Sequence, residues 1–314
     1  MRSRWILPIA VLAALVLVVP AEANYRVGLS EQNPAVFNST AWQSLKLKRV
    51  RYIVPWDWYK NVGQNAQVVD FMATAHAAKQ DVLVTFSADR ACYKNGRYSR
   101  SKKCRAPSQR TYSKAIKRFM KAYPWVKTYA PWNEENHVSQ PTHHNPRLAA
   151  RYYATMLKAT KHKHKTVLAA DLLDQSDLGS YITRFRHYSH GKGRIWGLHN
   201  YEDVNRHRSR GLKTMLRLAP GQVWLTETGG IYKFLPNFKT SQSRQVRATK
   251  YMFSLANHYS KRRHGYRSKV TRLYVYRWFG DTRSARFDAG LVDINGKPRK
   301  AFKTFKSGIR HKQR

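Results

Sequence analysis

The chain has 314 residues and a formal net charge of +42 at pH 7, from 59 lysines and arginines against 17 aspartates and glutamates. A cation of this size associates with polyanions, so we expect non-specific binding to anionic cell-wall polymers, or else a basic shell that is only solvated. The basic residues occur on most predicted helices, which argues against a specific nucleic-acid surface. No Pro/Gly/Ser-rich linker or repeat divides the sequence, and we expect one domain and a monomer.

The N-terminal segment has the pattern of a secretory signal. Arg2 and Arg4 precede an apolar run over 5–19 and a small-x-small site, Ala21-Glu22-Ala23. Because the apolar run is short for a membrane span, we expect cleavage after Ala23, a secreted mature chain of residues 24–314 and no transmembrane segment in it. The alternative is an uncleaved N-terminal anchor.

Strand, loop and helix then alternate along the mature chain. Apolar, β-branched or aromatic runs predict eight strands, at 25–31, 50–57, 81–87, within 128–137, 166–171, 194–201, within 222–230 and 271–278. Helical patterns follow at about 35–47, 65–79, 108–122, 146–161, 178–188, 212–218, 243–262 and 299–309. Eight strand-helix pairs predict a single-domain (β/α)8 TIM barrel, whose strands are buried on both faces.

Two cysteines lie in the polar loop after the third strand. Cys92 and Cys104 are close in sequence, and the secretory signal places them in an oxidising compartment, so we expect a disulfide rather than two free thiols. No pattern of further ligands accompanies them, and we expect no metal and no cofactor.

The scarce acids fall at or just after the predicted strand ends, where a barrel places its chemistry. They are Glu31, Asp57, Asp89, Glu134, Glu135, Asp171, Glu202, Asp203, Glu227 and Asp281. Roles as turn and cap residues explain some of the aspartates but fit the glutamates poorly. This edge of the barrel is therefore the predicted active site.

Two of these acids end apolar strands about ninety residues apart, in the stretches Thr128-Tyr-Ala-Pro-Trp-Asn-Glu134 and Gln222-Val-Trp-Leu-Thr-Glu227. Cleaving an acetal needs one group to protonate the leaving oxygen and another to meet the cationic carbon. The pair Glu134 and Glu227 predicts a glycosidase with a carbohydrate substrate. The alternatives are that Glu135 is the functional member of the first stretch and that Glu227 belongs only to a strand-ending turn.

Asn133-Glu134 on the fourth strand and Glu227 on the seventh resemble the signature of clan A glycoside hydrolases, the retaining (β/α)8 enzymes that include families 5 and 39. The resemblance implies that Glu134 is the general acid and base, that Glu227 is the nucleophile and that Asn133 binds the sugar 2-hydroxyl. The charge of Glu227 is then expected to raise the pKa of Glu134. One departure is Glu135, because the clan often has proline after Asn-Glu.

The resemblance assigns four further residues. Arg51 is similar to the strand-two arginine that orients the nucleophile, and His199 and Tyr201 are similar to the strand-six pair, with Tyr201 expected to hydrogen-bond Glu227. Trp278 is similar to the strand-eight tryptophan beneath the cleaved sugar. The alternatives are that Arg51 points to solvent and that His199 is a core histidine.

Tryptophans also end several strands, where flat rings can stack on sugars. Trp56, Trp132 and Trp278 are candidates for substrate binding, and core packing is the alternative for at least half of the strand-end tryptophans. The main rival to an enzyme is a non-catalytic barrel that binds anionic cell-wall polymer or acidic polysaccharide through its charge.

Overall fold

The computed structural model describes residues 25–94, 96–261 and 263–310, so the predicted signal segment lies outside the described residues. Nine strand segments form one all-parallel sheet: Arg26–Ser30, Arg49–Pro55, Asp81–Ser87, Thr128–Ala130, Thr166–Val167, Asp171–Leu173, Ile195–His199, Gly221–Thr228 and Ser268–Tyr276. The strand order starts at Thr166–Val167 and ends at Asp171–Leu173. These are the two halves of the predicted fifth strand, so the sheet closes into a barrel, and the predicted (β/α)8 fold is confirmed.

Helices follow the strands and pack around the barrel. They span Thr40–Gln43, Val62–Ala77, Gln109–Ala122, Pro146–Thr160, Leu178–Tyr188, Tyr201–Asn205, Arg210–Leu218, Gln242–Tyr259 and Lys300–Ile309. The predicted first helix is instead a 3-10 turn, Pro34–Asn38, followed by a single helical turn. None of the helices among the described residues is long and apolar enough to cross a membrane.

The short helix Tyr201–Asn205 replaces the predicted end of the sixth strand. The carboxylate of Asp174 accepts the backbone N–H groups of Glu202 and Asp203 at 3.1 and 2.8 Å, so it satisfies donors that a helix start leaves unpaired. The capping residue lies in a different loop, and a local sequence pattern does not show it.

Alternation along the second strand decides which side chains reach the barrel interior. Val50, Tyr52 and Val54 belong to the main core between sheet and helices, and because successive side chains of a strand point to opposite faces, Arg51 points inward. A second, smaller hydrophobic cluster is distinct from the main core and consists of Leu83, Ala130, Leu168, Trp224 and Tyr274. Arg51 is fully buried, which excludes the alternative of a solvent-facing side chain.

The loop after the third strand is cross-linked. Cys92 and Cys104 form the expected disulfide. Between them Tyr93–Lys94 pairs with Arg97–Tyr98 in a small antiparallel hairpin. The disulfide and the hairpin fix this loop beside the carboxyl ends of the barrel strands.

Candidate active site

The two predicted catalytic glutamates meet at the carboxyl ends of the strands. Glu134 lies in the turn after the fourth strand with a positive φ of 44°, a backbone conformation that non-glycine residues adopt rarely and mainly where surrounding contacts impose it. Glu227 lies in the seventh strand, whose pairing with the sixth strand shifts register between Leu225 and Glu227. Such a bulge changes the direction in which a side chain points. The neighbouring residues Thr226 and Glu227 both contact the site, Thr226 through Asp171 and Glu227 through Arg51.

Arg51 joins four strands beneath the cleft. Its Nη1 donates to Glu227 Oε1 at 2.5 Å and to Ser30 Oγ at 3.2 Å, and its Nη2 donates to Asn133 Oδ1 at 2.6 Å and to Asp171 Oδ2 at 2.7 Å. Burial lowers the pKa of Arg51, but the charges of Asp171 and Glu227 raise it by more. A buried guanidinium therefore fixes the orientation of Glu227.

His199 lies between three carboxylates and is fully buried. Its Nδ1 is 3.0 Å from Glu134 Oε1 and 3.6 Å from Glu227 Oε2, and its Nε2 is 3.2 Å from Asp171 Oδ1. Burial lowers the pKa of His199, but Glu227, Asp171 and the hydrogen bond to Glu134 raise it to about 10. The three carboxylates therefore favour the charged, imidazolium form of the ring.

The raised pKa expected for Glu134 is wrong, because of the hydrogen bond between Glu134 and His199. Burial raises the pKa of Glu134, yet the hydrogen bond and the charge of His199 lower it by more, and the net direction is downward. The negative charge of Glu227 predicts a raised pKa for Glu134, and the imidazole of His199, 3.0 Å away, reverses that direction. Across this hydrogen bond each group favours the charged form of the other, so the pKa of Glu134 is lowered and that of His199 is raised.

Tyr201 completes the contacts of Glu227 by donating its hydroxyl to Oε2 at 2.9 Å, as expected. Asn133 lies at the cleft with its oxygen held by Arg51. Glu227 therefore has one oxygen on the arginine and the other on the tyrosine, a fixed geometry for a nucleophile.

Asp171 is a member of the site to which the sequence analysis assigned no role. It is fully buried, contacts both Arg51 and His199, and accepts a hydrogen bond from Thr226 Oγ1. Burial raises the pKa of Asp171, but Arg51 and His199 hold it well below its usual range. The sequence feature that could have marked Asp171 as a site residue is its position directly after the apolar run Leu168-Ala-Ala170.

Glu135, the alternative catalytic residue, faces away from the cleft. Its side chain is fully buried, and its Oε2 accepts the backbone N–H of Asp171 at 2.7 Å. Burial and the charge of Asp171 raise its pKa well above the ordinary value. An enclosed carboxyl group that holds a backbone N–H in this way is a structural residue.

Glu134 and Glu227 open onto a cleft of about 460 Å³ that also has an aromatic lining of Tyr93, Tyr201, Phe234, Tyr276 and Phe287. The predicted tryptophans do not line it. Trp132 is buried against Tyr152 and donates to Gln140, Trp278 packs between Trp42 and Phe302, and Trp56 is 7% exposed beside Lys60. The eighth strand ends at Tyr276, two residues before the predicted end, so Tyr276 and not Trp278 takes the cleft position.

The same atoms could ligate a cation. One ligand atom from each of Glu134, His199 and Glu227 lies within 4.8 Å of the others, and the described residues hold no other group of this type. A cation there would compete with the imidazolium proton of His199, since a ligating histidine is neutral.

Comparisons with known proteins identify the family and support the fold. A family model described as glycosyl hydrolase catalytic core matches residues 39–305. Xylanase 10B from Thermotoga maritima has 11% identity and a TM-score of 0.57 over 93% of this chain and 96% of that one. An endo-1,4-β-xylanase from Caldicellulosiruptor owensensis has 10% identity and a TM-score of 0.58 over 90% of this chain and 97% of that one. A β-galacturonidase from Eisenbergiella tayi has 14% identity and a TM-score of 0.56 over 92% of this chain and 51% of that one. A comparison with curated proteins gave no match. At these identities the solved structures bear on the fold alone.

Proposed function

The chain belongs to the glycosyl hydrolase catalytic core family, and from that premise we propose that it is a secreted hydrolase that cleaves β-glycosidic bonds of a polysaccharide or oligosaccharide with retention of configuration. The observation that carries the proposal is the closeness of the two carboxyl groups. An oxygen of Glu134 and an oxygen of Glu227 lie within 4.8 Å. Retaining enzymes need about 5–5.5 Å between the groups, whereas an intervening water needs about 6.5–9.5 Å.

In the first step Glu227 attacks the anomeric carbon. A bond forms between its oxygen and that carbon, the glycosidic C–O bond breaks, and Glu134 gives its proton to the leaving oxygen. The donors from Arg51 and Tyr201 keep Glu227 oriented before attack. Asn133 contributes its amide N–H2 to the sugar, because its oxygen is already occupied by Arg51.

In the second step water replaces the enzyme. Glu134, now a carboxylate, takes a proton from water, the oxygen of that water bonds to the anomeric carbon, and the ester to Glu227 breaks. The two inversions restore the original configuration.

The proton for the first step comes from the pair formed by Glu134 and His199. Substrate that covers Glu134 removes water from a side chain that is 20% exposed and so favours its neutral form. The proton then moves from His199 Nδ1 across the 3.0 Å hydrogen bond to Glu134.

The test is release of reducing ends from a panel of β-linked glucans, mannans, xylans, galactans and amino-sugar polymers, with wild type and Glu227→Ala side by side. We expect release by wild type that the variant lacks. NMR of the first product should show the β anomer, and an initial α anomer would refute retention. No release by wild type, together with equal binding of an anionic polymer by both proteins, would favour the non-catalytic alternative.

Secretion belongs to the same proposal. It is supported by the basic, apolar and small-x-small pattern of residues 2–23. Expression of the full chain in a secreting host and mass spectrometry of the medium should find a product that starts at residue 24, and a cell-bound, uncut chain would contradict it.

A further inference from the structure

Among the described residues, Arg90 is a cation of the cleft without a hydrogen-bond or ion-pair partner. Arg90 and His137 are the basic residues of the lining in the described part of the chain. His137 contacts Ser139 Oγ at 2.7 Å and faces Glu134 at 3.8 Å. Arg90 is exposed, and within the described residues its guanidinium has no hydrogen bond and no carboxylate within 4.0 Å.

The backbone that carries Arg90 is fixed. Arg90 begins the 3-10 turn Arg90–Cys92, and Asp89 caps that turn by accepting the N–H of Ala91 at 2.8 Å. The same turn ends in the disulfide between Cys92 and Cys104. The side chain therefore starts from a constrained position at the cleft edge.

The charge of Arg90 acts on the cleft beside the catalytic pair. Burial raises the pKa of Tyr276 and Arg90 opposes that shift, which agrees with the position of both side chains in the lining. The carboxylates deeper in the cleft are already matched, because Glu227 is paired with Arg51 and Glu134 with His199. Asp89, which precedes Arg90 in the lining, accepts the N–H of Ala91 with one of its oxygens.

We propose that Arg90 binds the carboxylate of an acidic sugar, so that the substrate is a uronate-bearing β-linked glycan; this rests on the proposed glycoside hydrolase function. A guanidinium presents a planar fork of donors that matches a carboxylate in a bidentate pair. The net charge of +42 acts in the same direction by concentrating polyanions at the protein.

The test compares a uronate-containing β-glycan with the same polymer after chemical reduction of its carboxyl groups. Wild type, Arg90→Gln and Arg97→Gln are assayed together. Arg97 is an exposed arginine of the same cross-linked loop outside the cleft lining, so its variant makes an equal change in net charge. We expect Arg90→Gln to lower kcat/KM on the acidic polymer by about 10- to 100-fold, the value of a hydrogen bond to a charged group. Arg97→Gln should match wild type, and the reduced polymer should not distinguish the three proteins.

Equal losses in the two variants would assign the effect to overall charge and overturn the proposal. Activity of Arg90→Gln equal to that of wild type on both polymers would also overturn the proposal. A sulfated neutral glycan is the third arm, and dependence on Arg90 for sulfate without dependence for carboxylate would overturn the choice of a uronate.

Calorimetric binding of an acidic oligosaccharide separates this proposal from the hydrolase function. Binding that weakens only in Arg90→Gln supports the carboxylate site, even if wild type cleaves no glycan. The absence of cleavage would then refute only the hydrolase function. Cleavage of neutral glycans by wild type with no effect of Arg90→Gln on acidic ligands would refute the carboxylate site alone.

Discussion

Replacing Asp171 with asparagine should destabilise the protein strongly, because it removes the anion that two buried cations share. Asp171 contacts Arg51 at 2.7 Å and His199 at 3.2 Å, and both partners are fully buried. Asparagine has the same size but only one acceptor oxygen, so its amide N–H2 must face either the guanidinium or the imidazolium. The substitution thus leaves a buried cation opposite a donor.

Removing one partner of a buried ion pair costs about 3–5 kcal/mol in the free energy of unfolding. For a domain of this size each kcal/mol lowers Tm by about 2–4 °C, so we expect a fall of roughly 6–20 °C. The matched control is Asp81→Asn, since Asp81 is 39% exposed and its arginine partners are 3.7 and 3.8 Å away. An exposed pair of this type contributes about 0–1 kcal/mol. Thermal and urea unfolding of the three proteins at pH 7 measures both effects.

The pH dependence shows whether charge is the cause. The folded pKa of Asp171 is depressed, so its contribution is complete above the unfolded value of about 3.9 and is lost as the pH falls below it. The pKa of His199 is raised to about 10, so its contribution is complete below about 6.5 and is lost as the pH rises through 10. The difference in the free energy of unfolding between wild type and Asp171→Asn should be largest between about pH 3.9 and about pH 6.5. A gap that is constant from pH 3 to 10, or no larger than that of Asp81→Asn, would refute the reasoning.

Three further predictions address other parts of the site. Glu134→Gln should lower kcat at least 100-fold on unactivated glycans, within the usual range for acid-base catalysis. Glu135→Gln should keep kcat within about threefold, because the Glu135 side chain is enclosed and does not line the cleft; the reverse order would make Glu135 the catalytic member. Gly197→Ala should reduce both Tm and activity, since a methyl group there would overlap the carboxylate of Asp171, and unchanged melting curves would contradict this close packing. Cys92→Ser should make the lysine-rich loop 93–103 the first site of trypsin cleavage, as mass spectrometry of limited digests can test, with initial cuts in the barrel helices as the contrary result.

The sequence alone determined the barrel and predicted where its active site lies. Apolar runs alternating with helical patterns specify buried parallel strands, and the scarcity of acids made Glu134 and Glu227 visible at two strand ends. The disulfide between Cys92 and Cys104 was also predicted, from the closeness of the two cysteines and the predicted secretory signal. These features depend on local composition and periodicity, which one chain displays directly.

Only the tertiary structure decided which side chains share the site and with what charge. Asp171, Arg51 and His199 come from three different strands, so the contact that lowers the pKa of Glu134 arises from closure of the barrel. The end of the eighth strand likewise placed Tyr276 in the cleft and Trp278 in the core. A shift of one or two residues changes the environment of a side chain without changing the local pattern, and distances between strands are set by packing that no single segment encodes.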